Sequence, residues 1–532
     1  MAVDCAGQEK IRAHLCALYG HQQGCAAWQR LAPRLAQPLR AAVAPLSERD
    51  NLLITYGDQV TAPGRPSLQT LADFLDRHTT DIITGVHLLP HFPYSSDDGF
   101  SVIDHRRVNP ALGGWEDVHR LGEHRRLMLD AVLNHVSAQS AWFQAYRRGE
   151  PPFANYFIEC DPITDLSMVV RPRTSPLLTA VETARGRRHL WTTFSDDQMD
   201  LNYRNPDVLL EMLDILLFYV ANGAQFLRLD AIAYLWKEIG TPCIHLPQTH
   251  RIIQLIRAVL DLVVPGVMLI TETNVPHTDN ISYFGDGTNE AHLVYNFSLP
   301  PLTLHALRRG NAAKLSHWAA ALTLPSDRVT FLNFLASHDG IGLNPARGIL
   351  TESEIEALCR DQLVSYGSSG PYELNANYLD ALGGNANAFL CAQAIMLSLR
   401  GLPGIYFHSL FGSRGWPQGV EQMGHKRAIN RQKLARTHLE RTLADPVSER
   451  HRIFTGYRAL LQKRATSPAF HPYAPQKILD VGDAVFALRR TSLDGRHRII
   501  CLHNVTVVPQ TVSVGSRAYK LHPYEALWEY EG

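Results

Sequence analysis

The sequence has no excess of charge of either sign. Its 532 residues include 51 lysines and arginines and 51 aspartates and glutamates, so the formal net charge is zero. A chain without a net field has no general attraction for nucleic acid or for an anionic membrane surface. We therefore expect neither of these partners and look instead for a small-molecule substrate.

Cysteine is scarce and scattered. The eight cysteines form no Cys-x-x-Cys pair, and no histidines stand near them at zinc-ligand spacing. No run approaches 18 uncharged apolar residues, and the first 20 residues lack the basic start and apolar segment of a secretory signal. These absences predict a cytoplasmic protein with reduced thiols, no zinc site and no membrane anchor.

What the sequence does contain is a long alternation of short apolar strands with helical segments. Eight strand candidates run from LLITYG at residue 52 to GIYFHSL at residue 404, and helices such as PDVLLEMLDILLFYVANG separate them. Repeated strand-helix units indicate a parallel sheet buried on both faces. Eight such units predict a closed (β/α)8 TIM barrel of the α/β class.

The remaining segments predict additions to this barrel. Residues 1–50 read as a helical extension of two amphipathic helices, IRAHLCALYG and LAPRLAQPLRAAV. The barrel begins in residues 51–139, is interrupted by an inserted domain over 140–200, and continues over 201–465 with an inserted loop domain at 340–385. Alternating runs such as RIICLHNVTV predict an antiparallel β domain over 466–532.

Polar residues cluster at the C-terminal ends of the predicted strands, the face on which such barrels carry their active sites. Buried carboxylates are costly unless they are paired, and glycoside cleavage is a reaction that needs two of them close together. Residues two apart on a strand point to the same side, so an arginine and a carboxylate in FLRLD would face the barrel mouth together. The residues are Asp130, His135, Arg228, Asp230, Glu272, His338 and Asp339.

Four of these segments resemble a known family. DAVLNHVS, FLRLDAIAY, LITETN and FLASHDG are similar, in order and separation, to the signature segments of the α-amylase-like glycoside hydrolases and transglycosylases, and the resemblance covers about residues 50 to 532. It implies that Asp230 is the nucleophile, Glu272 the acid/base and Asp339 the residue that stabilises the transition state. It also implies a glucose subsite completed by Arg228, His135 and His338.

Three further segments resemble the sucrose-phosphorylase-like branch of this family. HFPYSSDDGFSVIDHRRVNPALG resembles its second-strand loop, in which Asp97 would bind glucose hydroxyls and Phe100 would form an apolar platform. VVRPRTSP resembles its mobile phosphate loop, where Arg171 and Arg173 offer forked donors to a dianion. HKRAINR resembles an element that places Arg427 near the attacking phosphate.

The implied activity is that of a glycoside phosphorylase, a hexosyltransferase. It would transfer glucose reversibly, with retention, from a small α-glucoside to inorganic phosphate and release α-glucose 1-phosphate. The branch implies neither cofactor nor metal, and Asn134 only partly matches the calcium pattern of the hydrolases. A hydrolase of the same fold and a catalytically inactive amylase-like binding subunit are the alternatives, and a monomer or homodimer is expected.

The acceptor side departs from the sucrose phosphorylases, as Glu373 stands where their glutamine contacts fructose and Asn274 where histidine is usual. The resemblance places Tyr234 and Tyr372 on the same side. A carboxylate at 373 would accept hydrogen bonds from a polyol and repel an anion unless an arginine intervenes. This favours 2-O-α-glucosylglycerol as donor. The alternative donors are glucosylglycerate, with Arg171 or Arg173 offsetting the repulsion, and sucrose or sucrose 6'-phosphate. A further alternative is that Glu373 lies in a surface loop and does not contact the substrate.

Overall fold

The computed structural model describes residues 5–36, 43–367 and 370–531, and eight of its strands close into one barrel. Each strand neighbours the next along the chain, and the eighth pairs in parallel with the first. These are the eight strands expected from the sequence, so the (β/α)8 barrel is confirmed. The strands are β1 (Leu52–Thr55), β2 (Gly85–Leu88), β3 (Arg126–Val132), β4 (Ala224–Asp230), β5 (Met268–Thr271), β6 (Leu293–Tyr295), β7 (Thr330–Asn333) and β8 (Leu402–Tyr406).

Strand register places charged residues side by side at one end of the barrel. On the parallel pair β3 and β4, Asp130 is the register partner of Arg228, and Val132 is the partner of Asp230. Directly opposed residues of neighbouring strands have side chains on the same face. Asp130 and Arg228 therefore lie next to each other although 98 residues separate them.

Capping residues, prolines and glycines mark where helices begin and end. The helix Pro206–Ala221 starts with proline at its first turn, and the Asn205 side chain accepts a hydrogen bond from the Asp207 amide at 3.0 Å. Gly223, with φ of 103°, follows its end. The remaining α-helices are Ser67–His78, Trp115–Gly122, Ala141–Arg148, Pro247–Val263, His277–Ile281, Leu299–Arg309, Ala313–Ala321, Glu352–Cys359, Tyr378–Ala381, Ala386–Ser398, Phe407–Leu410, Pro417–Met423, Arg436–Ala444, Glu449–Ala465 and the N-terminal Cys5–Leu31.

Internal contacts divide the chain into two units. The first comprises Met1–Pro45, Leu88–Thr273 and Ser282–Leu293, and the second comprises Leu46–His87, Asn274–Ile281 and Val294–Gly532. No helix among the described residues is long and apolar enough to cross a membrane.

The N-terminal segment of the first unit differs from the expectation. The helix Cys5–Leu31 is broken at Gly20, which has a φ of 77° and a ψ of 166°, a conformation that glycine adopts readily. The helix then continues to Leu31. The second predicted helix is therefore misplaced: helix ends where LAPRLAQPLRAAV begins, and only a 3-10 turn, Ala32–Leu35, follows. The prolines of that stretch disfavour a helix interior. The rest of the predicted helix falls partly on residues 37–42, outside those described.

The first unit also contains the segment expected as an insertion at 140–200. The strands Leu178–Thr183 and Gly186–Trp191 form a hairpin, and Gln198–Asp200 pairs with His135–Ser137. A buried cluster of Cys160, Trp191 and Cys243 lies in this unit. The domain boundaries themselves stay a prediction.

The second unit carries the additional sheets that follow β7 and β8. Ile341–Gly342, Leu363–Gly367 and Gly370–Asn375 form an antiparallel sheet. A four-stranded sheet consists of Gln476–Ile478, Val485–Thr491, Arg498–Asn504 and Ala526–Tyr530. Gln510–Val514 pairs with Arg517–Leu521, and Val60–Thr61 pairs with Leu434–Ala435.

Candidate active site

In the first unit, a buried arginine connects three carboxylates at the ends of β3, β4 and β5. Arg228 is 2% exposed; one terminal nitrogen bonds Asp130 and lies 2.9 Å from Asp230 Oδ1, and the other lies 3.8 Å from Glu272 Oε2. Buried charges are stable only when paired and hydrogen-bonded. This group, the Arg228 cluster (Asp130, Arg228, Asp230 and Glu272), places three carboxylates around one guanidinium. Two of them, Asp230 and Glu272, can supply the pair of carboxyl groups that a retaining glycosyl transfer uses.

The backbone after β4 also contacts the second carboxylate. Ala231, directly after Asp230, has a left-handed φ of 50°, and its amide donates to Glu272 Oε2 at 3.3 Å. The Glu272 amide in turn donates to the carbonyl of Leu229 at 3.2 Å. A non-glycine residue in this conformation is strained, and such strain collects at functional sites. The turn thus fixes Glu272 relative to Asp230.

Of the predicted glucose-site residues, Phe100 lies against this cluster and His135 contacts Phe100. The Arg228 guanidinium lies over the Phe100 ring, 5.5 Å from its centroid. His135 Nε2 is 3.0 Å from the Phe100 carbonyl oxygen, so that nitrogen carries the proton and donates. Burial lowers the pKa of His135, which keeps the imidazole neutral. Asp97, three residues before Phe100, has a left-handed φ of 52°.

One of the two arginines of the predicted phosphate loop lies over an aromatic residue that sequence reasoning missed. Arg173 lies over the Phe194 ring at 6.0 Å, and Phe194 meets Tyr234 edge to face at 5.5 Å and His135 at 5.4 Å. Arg171 donates to the Arg173 carbonyl at 3.1 Å. One terminal nitrogen of Arg171 is buried and meets no hydrogen-bond acceptor among the described residues. It is therefore a donor suited to an oxyanion.

In the second unit, Arg427 joins two carboxylates. Its guanidinium donates to both oxygens of Glu373, at 3.0 and 2.7 Å, and a further nitrogen lies 2.5 Å from Asp339 Oδ1. Glu373 is 1% exposed, which corrects the alternative of a surface-loop carboxylate. Gly340 leaves the room it needs, since a Cβ there would lie 2.4 Å from Glu373 Cγ.

Two more residues complete this group, the Arg427 cluster (His338, Asp339, Glu373, Arg427 and Arg431). His338 Nε2 lies 3.3 Å from Asp339 Oδ2. Arg431 donates to the His338 carbonyl at 2.9 Å and has a terminal nitrogen 3.9 Å from Asp339 Oδ1. Sequence reasoning missed Arg431, although HKRAINR carries it four residues after Arg427, the spacing of neighbours on one helical face.

The predicted acceptor-side residues Asn274 and Tyr372 contact each other in the second unit. The Asn274 amide donates to the Tyr372 hydroxyl at 3.3 Å. Gly342 lies against the same amide, because a Cβ there would come within 2.6 Å of Asn274 Oδ1. This close approach explains the glycine at 342.

Asn134, the partial match to a calcium pattern, has a lysine beside it. Lys237 Nζ lies 2.7 Å from Asn134 Oδ1 and 2.6 Å from Asp200 Oδ2. Burial lowers the pKa of Lys237 below its ordinary value, although the neighbouring Asp200 carboxylate acts in the opposite direction. A lysine within the apolar stretch YLWKE was the signal that sequence reasoning overlooked. Among the described residues, no three His, Cys, Asp or Glu side chains are arranged to hold a metal ion.

Comparison with known proteins identifies a family and several relatives. Residues 72–340 match the family Alpha-amylase, described as "Alpha amylase, catalytic domain". Glucosylglycerate phosphorylases of Spirochaeta thermophila and Allomeiothermus silvanus are each 48% identical, over 97% and 98% of this chain and 92% and 98% of their own. A glucosylglycerol phosphorylase of Marinobacter adhaerens is 28% identical over 79% of this chain and 87% of its own.

A solved structure resembles the whole fold. The crystal structure of sucrose 6F-phosphate phosphorylase from Thermoanaerobacter thermosaccharolyticum aligns with a TM-score of 0.78 and 23% identity. The alignment covers 90% of this chain and 98% of that one. The two proteins therefore share the barrel together with its added sheets.

Proposed function

The chain belongs to the α-amylase family, in its branch of sucrose-phosphorylase-like glycoside phosphorylases, and from this premise we propose that its donor is 2-O-α-glucosylglycerate. The observation that carries the proposal is the pattern of identity. Relatives named for glucosylglycerate share 48% of their residues with this chain over nearly its full length, whereas the relative named for glucosylglycerol shares 28%. The relatives thus favour the alternative over glucosylglycerol, the donor that sequence reasoning preferred.

The charges of the site support the same choice. The argument for glycerol depended on a carboxylate at 373 that would repel an anionic acceptor. Glu373 is instead paired through both oxygens with Arg427, so its charge is offset where it stands. Arg171 and Arg173 therefore need not offset the charge of Glu373, and as cations they can bind the glycerate carboxylate. The buried donor nitrogen of Arg171 suits that role.

In the proposed reaction, Asp230 attacks the anomeric carbon of the glucosyl group. The bond from that carbon to the glycerate oxygen breaks, Glu272 gives its proton to the departing oxygen, and a glucosyl ester forms on Asp230. A phosphate oxygen then attacks the same carbon and gives its proton to Glu272, the ester bond to Asp230 breaks, and α-glucose 1-phosphate leaves with the original configuration. Asp339 stabilises the cationic transition state.

Arg228 keeps the nucleophile ready. Its guanidinium bonds Asp230 at 2.9 Å, which favours the ionised carboxylate that attacks. The same guanidinium lies farther from Glu272, at 3.8 Å, the group that must carry a proton in the first step. We assign Asp230 and Glu272 their different roles on this asymmetry together with the family motifs.

The remaining residues are assigned by the part of the substrate they would meet. Asp97, Phe100, His135 and His338 serve the glucosyl group, while Tyr234, Asn274, Tyr372 and Glu373 serve the acceptor. Phosphate competes with water because cationic groups concentrate and orient it. Those groups are Arg171, Arg173 and Arg427.

The test is a donor panel with and without phosphate. We expect 2-O-α-glucosylglycerate to release α-glucose 1-phosphate and glycerate in equal amounts, only with phosphate present, and with a higher kcat/KM than glucosylglycerol or sucrose. Asp230→Ala serves as the inactive control. A higher kcat/KM for glucosylglycerol would overturn the donor, and equal glucose release without phosphate would overturn phosphorolysis by this chain.

A further inference from the structure

Asp197, which belongs to none of the motifs described above, accepts hydrogen bonds from serine hydroxyl groups of a loop that is distant in sequence. Its Oδ2 accepts hydrogen bonds from Ser95 Oγ and Ser96 Oγ at 2.5 Å and from Ser101 Oγ at 2.7 Å. Its backbone carbonyl also accepts from Ser101 Oγ, at 3.2 Å. One carboxylate therefore bonds both ends of the segment 95–101, called here the serine loop, from about 100 positions away.

The other side of Asp197 is fixed as well. Its Oδ1 accepts from the Ala138 amide at 3.3 Å and from Ser137 Oγ at 3.4 Å, and the Ala138 amide also lies 2.9 Å from its carbonyl. Ser137 belongs to the short strand His135–Ser137, which pairs with Gln198–Asp200. Asp197 thus connects the serine loop to a paired and regular part of the first unit.

The serine loop needs such support because its backbone is strained. Between Ser96 and Phe100 the chain passes through three left-handed residues in succession, Asp97 at φ 52°, Asp98 at 47° and Gly99 at 112°. Side chains other than glycine rarely adopt this conformation, and it persists only where the surroundings over-determine it. A Cβ at Gly99 would meet the Pro90 carbonyl at 2.7 Å, so only glycine fits at this position of the loop.

The serine loop carries the groups assigned to the sugar. Asp97 lies at its tip, and the Phe100 ring lies under the Arg228 guanidinium at 5.5 Å. The Phe100 carbonyl accepts from His135 at 3.0 Å. A shift of this loop would therefore move Asp97 directly and would remove packing from Arg228, which bonds the nucleophile.

We propose that Asp197 is a positioning residue for glucose recognition: by bonding both ends of the serine loop, it holds Asp97 and Phe100 where the sugar hydroxyls are recognised. This inference rests on the proposed role of Asp97. It does not depend on the choice between glycerate and other acceptors, because it concerns only the glucosyl group.

The test uses fluoride release from α-glucosyl fluoride and from its galacto epimer, which differs in one hydroxyl of the sugar. Asp197→Asn keeps the size of the side chain but replaces one carboxylate oxygen by a donor. We expect kcat/KM for α-glucosyl fluoride to fall on the order of 10²-fold, with KM rising, and the preference for the gluco over the galacto compound to fall with it. Asp196→Asn, at an exposed neighbouring carboxylate, is the matched control and should stay within about twofold of the parent protein.

A second comparison separates positioning from a general loss of stability. In an Asp97→Asn background, Asp197→Asn should cost clearly less than in the parent protein, because the part of its effect that passes through Asp97 is already lost. Ser96→Ala, which deletes one hydroxyl, should reduce the sugar preference in the same direction, and it replaces Asp197→Asn if that variant does not fold. An unchanged sugar preference in the folded variant, or full additivity with Asp97→Asn, would overturn the proposal. Fluoride is released whether phosphate or water accepts the glucosyl group, so a failed donor assignment leaves this readout intact.

Discussion

Replacement of Lys237 by methionine tests a deeply buried ion pair of the first unit. The Lys237 ammonium lies 2.6 Å from Asp200, whose side chain is 0% exposed. Methionine has a similar length and no charge, so Lys237→Met leaves the Asp200 carboxylate buried without its cation. Removal of one partner from such a pair costs about 3–5 kcal/mol in the free energy of unfolding.

The structure places the expected loss near the lower end of that range. Asp200 keeps hydrogen bonds from the Thr193 amide at 3.0 Å, from the Thr193 hydroxyl at 2.5 Å and from the Asn134 amide at 3.1 Å. These donors stabilise the isolated carboxylate in part, so we expect Lys237→Met to lose about 3 kcal/mol. The double variant Lys237→Met/Asp200→Asn has no unpaired charge and should lie within about 1 kcal/mol of the parent protein.

The assay is the midpoint of urea unfolding at neutral pH, converted to free energy with the measured slope. Lys433→Met is the matched control, because Lys433 pairs with Asp58 at 2.6 Å near the surface, and loss of such a pair should cost about 1 kcal/mol or less. If the double variant is as unstable as Lys237→Met, the lysine acts through packing and the charge-pairing argument is refuted.

Three further outcomes follow from the site and its surroundings. Glu272→Gln should lower phosphorolysis of 2-O-α-glucosylglycerate by about 10²- to 10⁴-fold but fluoride release from α-glucosyl fluoride far less, because fluoride needs little help from an acid; equal losses in the two kinetic assays would contradict the acid/base role. In synthesis from α-glucose 1-phosphate, Glu373→Gln should raise and Arg427→Met should lower the preference for glycerate over glycerol, each by on the order of fivefold, with the double variant near the parent; unchanged ratios would remove this pair from specificity. Burial lowers the pKa of His105 to about 4, so the unfolded chain takes up this proton first as pH falls, and the stability it contributes is complete above about pH 6.5 and lost towards pH 4. Urea midpoints at pH 7 and 4.5 should therefore differ less for His105→Gln than for the parent, and equal differences would refute this.

Local pattern was sufficient for the barrel. Strands three to seven residues long alternate with helices, and burial on both faces makes each strand a short apolar run that is visible in the sequence. Charges at the ends of such runs stand out, which is how Arg228, Asp230 and Glu272 were found. The second N-terminal helix was misplaced because apolar spacing continues through Pro33, a residue whose backbone disfavours a helix interior.

Which residues far apart in the sequence pair with each other could be seen only in the folded structure. From the sequence alone, the Glu373 carboxylate is expected to repel an anionic acceptor, but its pairing with Arg427, 54 residues away, offsets that charge. Asn134 and Lys237 are 103 residues apart, and Asp197 and Ser96 are 101 apart. The periodicity of apolar residues indicates which face of a strand or helix is buried. Strand register and loop placement determine which opposite charge lies beside a buried group, and neither register nor loop placement can be read from the local sequence.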